Sequence, residues 1–184
     1  MASYRVAHVF TVPGLLSLAR VPLGLLFPFV VDRPLVAFGV LVVSGLTDIL
    51  DGWWARTYGP VTVTGAVLDP VTDKLFVFAV VGTLVATGRI PPLAILLLGT
   101  REIGELPLVL YIASSRSARL RRASEPRANV PGKVATVLQF CCVALAILGS
   151  PALGPALWVA AGAGALAGIS YWARTLRERR GVSA

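Results

Sequence analysis

Residues 48–73 read DILDGWWARTYGPVTVTGAVLDPVTD, and this stretch carries four aspartates between two strongly apolar segments. On a helix of 3.6 residues per turn, positions 48, 51, 52 and 55 form one stripe, so Asp48 and Asp51 share a face with two very small side chains. Asp69 and Asp73 are four residues apart and share a face of the next helix. Folding these two helix ends together would bring four carboxylates around one space.

The composition around this stretch is that of a membrane protein. Of the 184 residues, 56% are hydrophobic and 14% are charged, which lies outside the usual mix of a soluble domain. Apolar segments of near-spanning length recur at about 14–31, 34–52, 70–87, 91–113, 131–149 and 152–173. Because roughly 20 helical residues cross a bilayer, we predict an all-α polytopic membrane protein, a bundle of six transmembrane helices that forms a single domain over residues 1–184.

The distribution of arginine predicts the orientation of this bundle. The connection between the fourth and fifth segments and the C-terminal tail are rich in arginine, whereas the loops of the other side offer only Arg33 and Arg89. By the positive-inside rule, both termini, the loop between segments two and three, and the arginine-rich loop face the cytoplasm. The net charge of +8 therefore indicates contact with anionic lipids rather than with nucleic acid.

The few histidines and cysteines argue against other kinds of site. Cys141 and Cys142 are adjacent in an apolar segment and are interpreted as helix-packing residues. The single histidine, His8, does not favour a His-rich metal cage or a Ser-His-Asp arrangement. Arg20 interrupts the first apolar segment, and no small-residue cleavage site follows, so we expect this segment to belong to the mature protein.

Carboxylates close to a bilayer need compensation. Placing one there raises the free energy by kilocalories per mole unless it is paired, hydrated or bound to a cation, so intramembrane acids indicate function. Oxygen ligands select hard cations, and we expect Asp48, Asp51, Asp69 and Asp73 to bind Mg²⁺ or Mn²⁺, as two ions. A paired site of this kind is typical of phosphoryl transfer, because two cations can offset the charge on the phosphorus and on its leaving oxygen.

Small side chains leave room beside the carboxylates. Gly52 and Ala55 lie on the aspartate stripe, and the space beside them would fit a bulky group such as a nucleotide diphosphate. Arg56, one residue past the stripe, can reach a phosphate; the alternative is a snorkelling residue at the membrane surface.

The spacing of these residues resembles the complete signature of the CDP-alcohol phosphatidyltransferase family. The matching positions are Asp48, Asp51, Gly52, Ala55, Arg56, Gly65, Asp69 and Asp73. The resemblance implies a six-helix membrane fold, commonly a homodimer, whose cytoplasm-facing cavity binds a CDP-diacylglycerol-type lipid with its diphosphate on the metals.

The same resemblance implies a role for each matched residue. Asp48, Asp51 and Asp69 would bind metal, while Asp73 would contact metal and act as the general base toward the acceptor hydroxyl. The pocket for the CDP-lipid would be lined by Asp48, Gly52, Ala55, Arg56 and Gly65. Attack on the lipid-side phosphorus would release CMP, so no nucleoside triphosphate is needed.

Further segments resemble the phosphatidylglycerophosphate synthase and cardiolipin synthase branch of the family. Residues 12–20 resemble its Pro-Asn-x-Leu-Thr-x-x-Arg segment, with Gly14 and Ser17 in place of Asn and Thr. Residues 100–102, Thr-Arg-Glu, and 132–136, Gly-Lys-Val-Ala-Thr, resemble its Arg-Glu and Gly-Lys-x-x-Thr elements.

Arg101 and Lys133 are the residues of these elements that could bind an acceptor. They are predicted to hold the phosphate of sn-glycerol 3-phosphate. The alternatives are an ion pair of Arg101 with Glu105 or Glu102, and a purely topological role for Lys133.

Other functions stay open at this point. The nearest is cardiolipin synthesis, with phosphatidylglycerol as acceptor; inositol phosphate, serine or an ether-lipid donor are also compatible with the signature. The non-enzymatic alternatives are a cation transporter and a structural membrane module, neither of which requires Gly52, Ala55 and Gly65 at their spacings. The pair Gly164 and Gly168 predicts a close helix contact, either in a dimer or within the bundle.

Overall fold

The computed structural model describes residues 12–58, 63–114 and 130–180, excluding the side chains at 12–13, 52, 55–56, 58, 63–70, 108–114 and 174–180. Every regular element within these ranges is an α-helix, which confirms the all-α prediction. The helices are α1 Val12–Val30, α2 Pro34–Tyr58, α3 Val63–Ala86, α4 Leu93–Leu98, α5 Thr100–Ser114, α6 Val130–Ile147 and α7 Leu153–Arg180.

Three helices of the described part are long and apolar enough to cross a membrane. Their spanning segments are Pro34–Asp51, Val130–Ile147 and Leu153–Ala173, and α1 contains a shorter apolar segment, Gly14–Val30. Large apolar side chains such as Phe29, Leu35 and Phe78 are exposed, as expected for a surface that faces lipid. A membrane protein is thus supported, while the six-helix count stays a prediction.

Residues Met1–Ile90 form one compact unit, in which α1 packs against both α2 and α3. Phe27 of α1 and Phe76 and Leu84 of α3 are buried in its core. Gly24 allows α1 to approach α3 closely, because a Cβ at this position would lie 3.4 Å from the Cβ of Ala79. This arrangement allows side chains of α1 to meet side chains of both neighbouring helices.

Residues Pro91–Ala184 form a second compact unit, in which α7 packs against α4, α5 and α6. A Cβ on Gly164 would lie 3.0 Å from the backbone nitrogen of Arg101, and one on Gly168 would lie 3.5 Å from the Cα of Gly104. The two glycines therefore serve packing within the chain, the second of the two alternatives. The single domain over residues 1–184 stays a prediction.

The two cysteines differ in their surroundings. Cys142 is buried on α6, whereas Cys141 is exposed, and both are free thiols. The packing interpretation is therefore supported for Cys142 alone, because adjacent positions on a helix point about 100° apart.

Helix boundaries are where the sequence-based prediction was wrong. α2 continues to Tyr58 instead of ending near 52, α3 begins at Val63 instead of 70, and α7 continues to Arg180 instead of 173. Hydropathy marks the part of a helix that faces lipid, whereas backbone hydrogen bonding can continue into the polar sequence beyond it. Asp48, Asp51 and Asp73 consequently lie inside helices and not at their ends.

The predicted fourth helix, 91–113, is divided into α4 and α5 at Gly99. The division is slight, because Gly99 N–H donates to Ile95 O at 2.8 Å and Ile103 N–H donates to Gly99 O at 2.9 Å. The helical hydrogen bonds thus continue through the joint.

A glycine follows each of the helices α3 and α6. Gly88 and Gly149 have φ angles of +70° and +65°, a left-handed conformation that glycine adopts without steric strain. After α3, the N–H of Arg89 donates to the carbonyl oxygen of Leu84 at 2.8 Å, and an equivalent bond follows α6. Both ends are therefore Schellman motifs, which satisfy the last helical carbonyls.

Candidate metal and substrate site

The centre of the first unit is Arg20, a cation on the buried side of α1. The residue is 1% exposed, although the helix around it is strongly apolar. A buried guanidinium is very unfavourable unless anions meet it. Its neighbours therefore identify the polar site of this unit.

Three aspartates from two other helices meet this guanidinium. Nη2 of Arg20 lies 3.1 Å from Asp48 Oδ1 and also contacts Asp51 Oδ2. Nη1 contacts Asp73 Oδ1 on α3. Ser17 Oγ, one turn earlier on α1, donates to Asp51 Oδ2 at 3.5 Å. Three of the four aspartates singled out in the sequence thus share one cation.

The three carboxylates differ in their access to solvent. The side chain of Asp51 is 3% exposed, while those of Asp48 and Asp73 are 63% and 44% exposed. Asp51 is held by two residues of α1, whereas Asp48 and Asp73 each also present surface to the outside. The cluster therefore has a fixed interior and an edge that a ligand can reach.

The donor set fits a divalent metal, but its present arrangement fits the arginine. Among the described side chains, no three Asp, Glu, His or Cys residues are grouped so that they could hold a metal ion as they stand. The guanidinium lies between the carboxylates instead, with Asp48 and Asp51 on one of its nitrogens and Asp73 on the other. Carboxylate oxygens that already converge on one cation are the ligands that Mg²⁺ and Mn²⁺ prefer.

The remaining residues of the aspartate signature lie on the same two helices. Gly52, Ala55 and Arg56 belong to α2, and Gly65 and Asp69 belong to α3. Their side chains lie outside the described residues. Their roles in binding metal and CDP-lipid stay predictions, supported by their positions on helices whose neighbouring aspartates meet Arg20.

A second polar cluster lies in the second unit, around Arg101 of α5. Its Nε lies 2.9 Å from Glu105 Oε1, one turn along the same helix. Its Nη1 donates to Thr136 Oγ1 of α6, and this hydroxyl donates to Gly132 O at 3.0 Å. The ion pair named as an alternative is therefore present, and it coexists with a contact between the Arg-Glu and Gly-Lys-x-x-Thr elements.

The surroundings of Lys133 separate it from its neighbours in the sequence. Lys133 is exposed, whereas Gly132 is buried. A Cβ on Gly132 would meet the hydroxyl oxygen of Tyr171 on α7, so a larger residue there would require the tyrosine side chain to shift. Lys133 has no described contact that decides between acceptor binding and a topological role.

Sequence reasoning missed the part that Arg20 takes. The sequence shows it as an interruption of an apolar segment and as the end of the 12–20 resemblance, without a partner. The sequence did contain an electrostatic indication of this role. One cation in an apolar helix and several acids in the next two helices each need an opposite charge nearby. Pairing these two requirements would have made Arg20 a candidate partner of the aspartates, without specifying which of them it meets.

Known proteins match this chain along most of its length. Residues 10–172 match the family model described as CDP-alcohol phosphatidyltransferase. A protein named "Probable phosphatidylglycerophosphate synthase" from Mycobacterium tuberculosis (strain H37Rv) is 33% identical over 190 aligned positions, which cover 97% of this chain and 86% of that protein. A CDP-diacylglycerol--glycerol-3-phosphate 3-phosphatidyltransferase from Rickettsia felis is 30% identical over 174 positions, covering 87% of this chain and 92% of that protein.

A relative named for a different product also matches. The cardiolipin synthase (CMP-forming) of Streptomyces coelicolor is 32% identical over 139 positions, which cover 70% of this chain and 61% of that protein. The family model, the relatives and the aspartates gathered at Arg20 agree with one another, and the chain belongs to the CDP-alcohol phosphatidyltransferase family.

Proposed function

We propose that this protein transfers the phosphatidyl group of CDP-diacylglycerol to sn-glycerol 3-phosphate, forming phosphatidylglycerophosphate and releasing CMP. The observation that carries the proposal is the convergence of Asp48, Asp51 and Asp73 on one buried cation in a member of this family. Like charges gather in this way only where a positive group compensates them. Because three carboxylates outweigh one guanidinium, the diphosphate of the donor would bind at this site through divalent cations.

The carboxylates would hold two divalent cations, Mg²⁺ or Mn²⁺, through Asp48, Asp51, Asp69 and Asp73. When bound, the cations would offset the negative charge that develops on the diphosphate as CMP leaves. Asp51, which is buried and hydrogen-bonded to Ser17, would keep its orientation. Gly52, Ala55, Arg56 and Gly65 would line the pocket for the cytidine and diphosphate, as the family signature implies.

Asp73 would act as the general base. Its side chain is 44% exposed, so an acceptor can approach it from outside the cluster. Asp73 would take the hydroxyl proton while the alcohol oxygen forms a bond to the lipid-side phosphorus. The bond from that phosphorus to the bridging oxygen would break, and CMP would leave with the electron pair. General bases contribute roughly 10² to 10⁴ in rate.

Glycerol 3-phosphate is proposed as the acceptor on two grounds. The relatives whose names specify phosphatidylglycerophosphate synthesis or a glycerol-3-phosphate acceptor align over 86% and 92% of their length, against 61% for the cardiolipin synthase. The contact between Arg101 and Thr136 joins the two elements expected to bind an acceptor phosphate, to which Lys133 would add a second charge. Phosphatidylglycerol is the second candidate, because that cardiolipin synthase also matches.

The arrangement in the membrane is part of the proposal. Arginine distribution and family resemblance support six spanning helices, with both termini and the active site on the cytoplasmic side, and a homodimer. The lipid donor would enter from the bilayer, and the small acceptor from the cytoplasm.

The test is a panel of acceptors offered to the purified protein with labelled CDP-diacylglycerol. With Mg²⁺, we expect labelled phosphatidylglycerophosphate and stoichiometric CMP from glycerol 3-phosphate, and loss of both after treatment with a chelator. Product formed at full rate without divalent cation would refute the metal site. Conversion of phosphatidylglycerol but not glycerol 3-phosphate would make the chain a cardiolipin synthase.

A further inference from the structure

Arg20 is placed where a metal would have to bind. Its two terminal nitrogens divide the carboxylates, with Asp48 and Asp51 on Nη2 and Asp73 on Nη1. A carboxylate oxygen aimed at a guanidinium nitrogen is not available to a metal in the same direction. A divalent cation would therefore compete with the guanidinium for Asp48 Oδ1, Asp51 Oδ2 and Asp73 Oδ1.

Arg20 offsets only part of the negative charge of this cluster. Three carboxylates face one guanidinium, so the described cluster is net negative when the aspartates are ionised. Nε of Arg20 is buried and has no hydrogen-bond partner among the described residues. A buried donor without a partner is unfavourable. The hydrogen-bonding capacity of Arg20 is therefore not fully used in this ion-pair cluster, which argues against a purely structural role.

We propose that Arg20 serves as a built-in counter-cation, which holds the three aspartates together while metal is absent. When a divalent cation binds, Arg20 releases their oxygens to the metal. This inference rests on the proposed metal site. Arg20 would thereby be a positioning residue that sets the affinity for metal. It keeps like charges from separating the helices of the unliganded protein, and it weakens the apparent affinity because its contacts must be broken first.

The experiment measures Mn²⁺ binding by the loss of the free Mn²⁺ signal in electron paramagnetic resonance, on full-length protein in nanodiscs. Arg20→Gln removes the competing charge, and we expect the Kd for Mn²⁺ to fall at least about tenfold, since two like charges at contact distance repel by kilocalories. Arg20→Lys keeps the charge, and its Kd should stay within about threefold of the wild-type value. The matched control is Arg89→Gln, because Arg89 pairs with exposed Asp32 at 3.4 Å in the same unit; its Kd should not change.

Thermal unfolding supplies a second readout. Without metal, Arg20→Gln should unfold at a lower temperature than wild type, and saturating Mn²⁺ should raise its Tm by more than it raises that of wild type. A purely structural arginine gives the opposite result, with weaker Mn²⁺ binding in Arg20→Gln and a loss of Tm that is larger with metal than without. That result would overturn the inference.

Three further outcomes are distinguished by the same measurements. If the metal-free Arg20→Gln protein does not fold, Arg20→Lys decides the question, because a structural role that needs the guanidinium fork predicts at least about tenfold weaker Mn²⁺ binding in this variant too. If wild type itself binds no Mn²⁺, the metal site of the proposed function is wrong. If wild type binds Mn²⁺ and Arg20→Gln does not bind it more tightly, only the role of Arg20 is wrong.

Discussion

Two arginines on apolar helices of this chain meet their carboxylates in different ways. Arg20 pairs with three aspartates of other helices, 28 to 53 residues away in sequence, and is almost fully buried. Arg101 pairs with Glu105 one turn along its own helix and is partly exposed. A single helix can form the second pair by itself, whereas only the tertiary fold can form the first. The cross-helix cluster is therefore the stronger indication of a site, and the local pair leaves the role of Arg101 to experiment.

The largest effect is expected at the Arg20 cluster. Asp73→Asn removes the proposed base while keeping the size of the side chain, so kcat should fall roughly 10²- to 10⁴-fold while CDP-diacylglycerol still binds. Asp48→Asn should instead weaken metal binding and recover part of its rate at high Mg²⁺. Initial rates measured over a Mg²⁺ titration distinguish the two. Asp32→Asn, a change at an exposed aspartate of the same unit, is the control.

An identical Mg²⁺ dependence and rate for Asp73→Asn and Asp48→Asn would contradict this division of roles. The cluster would then act as one metal-binding group without a distinct base.

A smaller effect is expected at the second cluster. Arg101→Ala and Lys133→Ala should each raise the KM for glycerol 3-phosphate at least tenfold, because a charge-assisted hydrogen bond contributes about 1.5 to 3 kcal/mol. The KM for CDP-diacylglycerol should change much less, and both constants follow from steady-state kinetics with one substrate saturating. An unchanged KM for glycerol 3-phosphate would reduce Arg101 to a packing residue.

The smallest effect is expected for Glu105→Gln. This change removes the ion pair within α5 but leaves the charge of Arg101 and its contact with Thr136. A pair of this spacing contributes less than about 1 kcal/mol, so the Tm should fall only slightly and the KM for glycerol 3-phosphate should stay within about threefold. A KM raised as far as in Arg101→Ala would show that arginine and glutamate act as a unit in binding the acceptor.

The sequence predicted the acidic side of the first cluster and not its cation. The helical stripe places Asp48 and Asp51 on one face whatever the rest of the chain does, because the spacing alone decides it. The direction of Arg20 depends on the rotation of α1 about its axis. Hydrophobicity does not reveal that rotation, because Leu25, Leu26 and Phe27 of this helix are all apolar. Leu25 and Leu26 are nevertheless exposed, while Phe27 is buried.

The second cluster was predictable for the opposite reason. The separation of Arg101 from Glu105 is a helical turn, so their ion pair required only the helix. The contact with Thr136 depends on how α5 and α6 approach in the folded unit, which no local pattern specifies.

Helix ends such as Tyr58 and Arg180 were missed because polar residues continue these helices beyond their apolar parts.

The length of α2 has a consequence for how the enzyme would meet its donor. Its 25 residues extend about 37 Å, against a hydrocarbon thickness of about 30 Å. If Pro34 lies at one hydrocarbon surface, Asp51 lies about 25 Å along the axis, within about 5 Å of the opposite surface. The last turns of α2 then extend past that surface, and Asp51 lies just beneath the headgroup region in which phospholipids carry their phosphates.

A donor lipid could then present its diphosphate to Asp48 and Asp51 while its acyl chains stay in the bilayer. Encounter would occur by lateral diffusion in two dimensions, so the relevant concentration is the mole fraction of CDP-diacylglycerol in the membrane. Adding inert phospholipid or detergent at constant bulk substrate would slow the reaction by surface dilution, and kinetic constants for this lipid would have meaning only per unit of surface.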